Sequence, residues 1–294
     1  MIYYFLPDSG KFGGVKVGCQ WVDYLNQLGL RAVVVTPDGT APDWFHGSFS
    51  VLPEVAALAR ITADDIVVIT WPPDHRRLAH ISARKVCHVQ GTDPLMDPVF
   101  ADPDYLLLTC WQQASDYARD EHGRETMNVG ISISDVFFQG TQIKRSNEVA
   151  YMPRRGHHLI TPAIRRCDDL DFLAIDELPE SGVAACLNRA GYFLATAEGE
   201  QFGLPALEAM AAGCVVLSVP VRGGMEYLHD GENCLLVEPD ELASRLHWIS
   251  RPEQTQLRVE MAQRARAKAA DYHPHKHLKR LRGALSAGLG EMLS

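Results

Sequence analysis

The sequence predicts an α/β protein built from two doubly wound parallel sheets, and three observations predict it. Short continuous apolar runs, such as 2–6, 32–36, 66–70 and 105–109, read as strands buried on both faces, as in parallel sheets. Between them stand segments with apolar residues at helical spacing, so strand and helix alternate. The alternation lapses in a polar, aperiodic stretch at 139–147 and then starts again, so the architecture occurs twice.

In chain order, 2–6 is the first strand and the loop to Gly13-Gly14 follows it. Val17, Trp21, Leu25 and Leu28 give a helix over 15–28, stopped by Gly29. Strands follow at 32–36, 66–70, 85–90 and 105–109, with a helix over 111–121. The run 66–70 is expected to end at Trp71-Pro72-Pro73. The second series has strands at 148–152, 171–175, 192–196, 215–219 and 234–237, and helices at 180–189, 240–249 and 253–270. A basic helix closes the chain from about Tyr272. The expected domains are therefore 1–138, a linker at 139–147, 148–272, and a C-terminal helix at 273–294 packing back toward the N-terminal domain.

Composition narrows the function classes. The chain has 294 residues, 46% hydrophobic and 22% charged, enough for two ordinary cores. A net charge of -9 argues against a general nucleic-acid binder, which needs a basic footprint. The 7 cysteines form no CxxC pair and read as small buried residues in a reducing cytosol. The start MIYYFLPDSG lacks a basic n-region and reads as a strand rather than a signal peptide. No run is long enough to span a bilayer. The basic tail, with His273, His275, Lys276, His277, Lys279, Arg280 and Arg282, reads as a solvated face, with anionic lipid as the other partner it suits.

The chemistry concentrates at 198–214. Gly203 and Pro205 break the incoming strand and start a helix, with Leu207, Met210 and Ala211 as its apolar face and Gly213 as its stop. Glu200 then lies on the loop and Glu208 in the helix. The helix start at Phe202, Gly203 and Leu204 offers backbone N–H groups to a phosphate. Gly13-Gly14 reads either as close approach of backbone to a ligand or as a turn that needs glycine; it is not GxGxxG, which lowers the case for a nicotinamide enzyme. His88 stands at the C-terminal end of its strand, where open parallel sheets bind ligands; the other reading is a hydrogen-bonded core histidine. Arg154-Arg155 suits a diphosphate or is a solvated turn. His157-His158 has no placed third ligand, so no metal site is expected.

The stretch EQFGLPALEAMAAGC (200–214) resembles the E-x7-E signature of retaining GT-B glycosyltransferases of family GT4. Gly13-Gly14 with its helix, VGISISDVF (129–137), 222–227 and DGENCLLVEP (230–239) are similar to other segments of that family. YMPRR (151–155) and KVCHVQGTDP (85–94) resemble a branch with rhamnosyl- and other polysaccharide-building transferases. The resemblance implies a GT-B fold: two Rossmann-like domains, acceptor domain first and a compact donor domain second, facing a central cleft. It implies transfer of a hexose from a nucleotide-sugar, UDP- or GDP-linked, to a glycan or lipid-linked acceptor, with retention and no metal or other cofactor. Glu200 would contact the donor sugar and Glu208 the ribose; His88 would approach the sugar; Arg154 or Arg155 would neutralise the diphosphate. Phe202, Gly203 and Leu204 would bind sugar and β-phosphate, and Gly13 and Gly14 would pack on the phosphates. A cytoplasmic protein, peripheral at the inner face of the membrane, is the matching expectation. The alternative of the same fold is a catalytically silent nucleotide-sugar-binding or scaffold protein. Two departures from the family stand out: Gln201 replaces its usual glycine, and no lysine follows the Arg pair.

Overall fold

A computed structural model describes residues 1–140 and 144–290. Of the expected linker, 141–143 lie outside the described residues, as do 291–294 of the expected terminal helix. The chain divides into two compact units: Met1–Ile131 together with the segment from His275, and Ser132–Pro274.

The first unit runs β1 (Ile2–Phe5), α1 (Gly13–Gln27), β2 (Ala32–Thr36), β3 (Val51–Pro53), α2 (Glu54–Leu58), β4 (Ile66–Ile69), α3 (Pro72–Arg77), β5 (Arg84–Val89), α4 (Asp97–Phe100), β6 (Tyr105–Thr109), α5 (Gln112–His122) and β7 (Met127–Asn128). Its seven strands are parallel, in the order β3-β2-β1-β4-β5-β6-β7. The order reverses between β1 and β4, which pair Tyr4 with Val68. Strands β1, β2 and β4 are buried throughout, as their unbroken Ile, Val and Tyr content requires when helices cover both faces. Trp21, Val22 and Leu25 of α1 pack with Tyr4, Val34 and Val68.

The second unit runs β8 (Arg145–Tyr151), α6 (His157–Arg166), β9 (Asp171–Ala174), α7 (Glu180–Arg189), β10 (Ala190–Ala195), α8 (Leu204–Ala211), β11 (Val215–Ser218), β12 (Leu235–Leu236), α9 (Leu242–Ser250) and α10 (Thr255–Ala269). Its five parallel strands lie in the order β12-β11-β10-β8-β9. In sequence order within the unit this is 2-1-3-4-5 read from β9, and the direction reverses between β8 and β10. Helix α11 (Pro274–Ala284) then returns to the first unit, where Leu281 and Leu289 are fully buried in its core.

Several expectations need correction. Strand β8 starts at Arg145, so 145–147 of the expected linker are strand; Arg145, Ser146 and Asn147 are exposed, and their polarity hides a pairing in which Arg145 faces Ala190. Segment 157–166, for which the sequence suggests no element, is helix α6 despite Pro162. Pro72-Pro73 does not merely end a strand; the pair opens α3, where a missing N–H costs nothing. In the basic tail His277 is 4% exposed and belongs to the core rather than to a solvated face.

Candidate functional site

The loops that leave the C-terminal ends of β8, β10 and β11 meet at the strand-order reversal of the second unit. That is where open α/β sheets hold ligands, because diverging helices leave a crevice there. The loop after β8 carries Arg154, Arg155 and Gly156; the loop after β10 carries Glu198 to Gly203; the loop after β11 carries Arg222 to Tyr227.

Backbone contacts tie these loops together. Thr196 Oγ1 donates to the Arg155 carbonyl at 3.0 Å. Gly156 has φ +70, and a Cβ there would stand 2.1 Å from the Thr196 carbonyl oxygen, so no other residue lets the two loops approach this closely. The Arg222 N–H donates to the Glu200 carbonyl at 2.9 Å. Across the same space Arg155 Nη1 donates to Glu200 Oε2 at 2.8 Å, and His158 Nε2 lies 3.3 Å from Glu198 Oε2.

Helix α8 starts at this point. Its N-cap is Gly203, at φ +85. A side chain there would meet the strain of a left-handed backbone and the Tyr227 hydroxyl, 2.9 Å from the Cβ position. Gly203 brings no capping side chain, and the first-turn N–H groups of a helix have no partner within it, so this end offers donors and a partial positive charge. Phe202 is buried against Tyr227 and Tyr272, with ring centroids 5.3 and 5.9 Å away. The Tyr227 hydroxyl donates to the Gly203 carbonyl at 2.6 Å, with the Phe202 carbonyl at 3.2 Å. Burial, and then the charge of Tyr272 and its neighbours, raise the Tyr227 pKa well above the phenol range, so it stays a donor. Below it Asn233, also buried, donates to the Tyr227 carbonyl at 3.0 Å. Glu208 lies one turn into α8, 8% exposed in a helix otherwise lined by Ala206, Leu207, Ala209, Met210 and Ala211.

Sequence reading missed Tyr227, Thr196, Gly156 and Asn233 as parts of this site. The partners of Tyr227, Thr196 and Gly156 are backbone carbonyls distant in sequence, and no spacing rule announces any of these contacts. The hint was there for Tyr227, which closes the glycine-rich segment 222–227.

The remaining expected residues lie in the first unit, at its own strand-order reversal. Gly13, exposed, and Gly14, partly buried, open α1. Gln90 Oε1 sits 2.6 Å from where a Gly14 Cβ would be. His88 is fully buried. Tyr4 Oη lies 2.9 Å from its Nδ1 and Cys110 Sγ 3.1 Å from its Nε2, and the Trp21 ring is 5.2 Å away. A neutral imidazole, accepting at Nδ1 and donating at Nε2, satisfies both contacts. Burial first, then the charge of His277, push the His88 pKa down to about 3, which holds it neutral. Gln90 Nε2 donates to Tyr4 Oη at 3.1 Å, and Gln90, only partly buried, is the outer end of this chain of bonds. Among the described residues, no group of three or more His, Cys, Asp or Glu is placed to hold a metal ion, and no helix is long and apolar enough to cross a membrane.

Residues 172–268 match the family model described as Glycosyl transferases group 1. No curated protein sequence matches the chain. Among solved structures, the chain is similar to a glycosyltransferase from Rickettsia africae, at 12% identity with 98% of each chain covered and a TM-score of 0.73. It is similar to HepE of Anabaena in complex with UDP-glucose, at 16% identity over 98% of this chain and 100% of that one, TM-score 0.73. It is also similar to a sucrose-phosphate synthase from Thermosynechococcus elongatus, at 13% identity over 99% of both chains, TM-score 0.76. These likenesses show the fold: α/β with two Rossmann-like parallel sheets, the GT-B class.

Proposed function

We propose that the protein is a glycosyltransferase that moves a hexose from a nucleoside-diphosphate sugar to a glycan or lipid-linked acceptor, with retention and without a metal. The observation that carries this reading is the meeting of Arg155, Glu200, the start of α8 and Glu208 at the β8/β10 reversal, the last three within the residues that match the group 1 glycosyltransferase model. HepE, similar in fold, is solved with UDP and with UDP-glucose, which makes UDP the first nucleotide to try.

Transfer breaks the bond from the anomeric carbon to the diphosphate, leaving positive charge on the sugar ring and negative charge on the departing phosphate. The N–H groups and dipole of α8, with an arginine of the Arg154-Arg155 pair, face that negative charge and are in place before it develops. Glu208, held in an apolar helix, takes the ribose hydroxyls, and Glu200 the hydroxyls of the donor sugar. Gly13 and Gly14 pack on the donor phosphates, and the first unit takes the acceptor. His88 is a positioning residue in this scheme, acting through Tyr4 on Gln90. A cytoplasmic protein with peripheral contact at the inner face of the membrane, through the exposed lysines and arginines of α11, is part of the same proposal.

The test is a transfer and donor-hydrolysis assay over UDP-, GDP- and ADP-sugars, with Glu208→Ala as the inactive control. Absence of nucleotide binding in the wild type sinks the reading. A product of inverted anomeric configuration overturns retention, and loss of activity in chelator overturns metal independence.

A further inference from the structure

Arg155 and Glu200 hold each other across the strand-order reversal, 2.8 Å apart. Their backbones are pinned: the Arg155 carbonyl by Thr196, the Glu200 carbonyl by Arg222. Their side chains are not, with 60% of Arg155 and 27% of Glu200 exposed to solvent. An ion pair this open to water contributes little stability, so a stronger partner displaces it readily. A diphosphate is such a partner for a guanidinium, because it carries more charge and accepts two parallel N–H bonds.

We propose that Arg155 is the diphosphate-binding arginine, and that its pair with Glu200 is an exchange latch opened by the donor. This rests on the proposed glycosyl transfer. The diphosphate takes the guanidinium, and the released carboxylate takes the hydroxyls of the incoming sugar. Each group is satisfied before and after, so the exchange strands no charge. A free nucleoside diphosphate opens the latch but brings no sugar hydroxyls to Glu200. The site therefore discriminates in favour of the sugar-bearing donor, and re-formation of the pair favours release of the diphosphate product. A ligand shifts such an equilibrium only by binding the two states differently, and here the difference lies in the availability of one guanidinium.

The experiment is titration calorimetry of UDP, GDP and ADP against the full chain: wild type, Glu200→Gln, Arg155→Ala, Arg154→Ala, and the Glu200→Gln/Arg155→Ala double variant. Far-UV circular dichroism checks each fold, and Arg155→Lys replaces Arg155→Ala should the latter fail to fold. Glu200→Gln is expected to tighten the diphosphate by about threefold or more, and Arg155→Ala to weaken it by about tenfold. The double variant is expected to match Arg155→Ala within about twofold, since without the guanidinium there is no latch to open. An equal gain from Glu200→Gln in both backgrounds means simple charge repulsion and overturns the latch. So does an unchanged affinity in Glu200→Gln, or a loss confined to Arg154→Ala. A wild type that binds none of the three nucleotides overturns the latch and the proposed function together; a wild type that binds with a flat cycle overturns the latch alone.

Discussion

At the scale of single residues, the candidate site depends on groups that present other groups. Tyr227 touches the Gly203 carbonyl and so sets the angle at which α8 begins. Tyr227→Phe leaves that carbonyl with one partner fewer in a buried place, at a cost of about 1–2 kcal/mol. Denaturant unfolding should show it, with weaker nucleotide binding alongside. Gly203→Ala meets both the left-handed backbone and the Tyr227 hydroxyl, so a loss of at least about 1–2 kcal/mol is expected from the backbone alone. His88 and His277 carry a pH signature. Burial, with the charge of His277 on the first and of Arg280 on the second, lowers both to about 3 in the folded chain, while the unfolded chain holds them near the ordinary 6.5. Above pH 6.5 both are neutral in either state and the folded chain keeps its full stability. As pH falls from 6.5 toward 3 the unfolded chain binds protons that the folded chain refuses, and each histidine removes about 1.4 kcal/mol per pH unit. Urea midpoints between pH 7 and 4.5 should fall accordingly, and His277→Gln should flatten the slope.

Among the elements, α8 and α11 contrast. Helix α8 is short and nearly all apolar, and it was legible because its composition allows burial only between a sheet and another helix. Helix α11 reads as basic and solvent-facing from charge alone, yet it seats Leu281 in the first core and places His277 against Tyr24, ring centroids 5.1 Å apart. Leu281→Ala should therefore cost about 2–5 kcal/mol, and the loss should appear in the transition of the first unit although the residue is near the end of the chain. Helix α6 escaped reading because Pro162 argues against a helix, and tertiary burial of Leu159, Ile160 and Ala163 overrides that local preference.

Over the whole molecule, two cores of separate composition make one all-or-none transition a poor description. Trp21, Trp44, Trp71 and Trp111 report on the first unit and Trp248 on the second. If UDP binds at the β8/β10 reversal, 100 Kd of UDP should stabilise the second unit by about 2.7 kcal/mol. In a chain whose other four tryptophans are changed to phenylalanine, Trp248 fluorescence should show that shift. A Trp248 transition unmoved by UDP in that chain, with a shift in the fluorescence transition of the unsubstituted chain, would place the nucleotide elsewhere.

The sequence by itself determined the fold class, most strands to within a residue or two, and the segment in which the candidate site lies. The physical reason is that these are local: buried parallel strands need unbroken apolar runs, and a helix start at a Gly-Leu-Pro step needs no distant partner. It also placed Glu200 on a loop and Glu208 in a helix, because Pro205 and Gly213 bound that helix. Only the tertiary structure decided which side chains meet. It paired Arg155 with Glu200, 45 positions apart, set Tyr227 under Gly203, and withdrew His88 behind Tyr4, Trp21 and Cys110. Those outcomes follow from strand order and from what covers each sheet face, and both are settled by packing between segments that no single stretch of sequence contains.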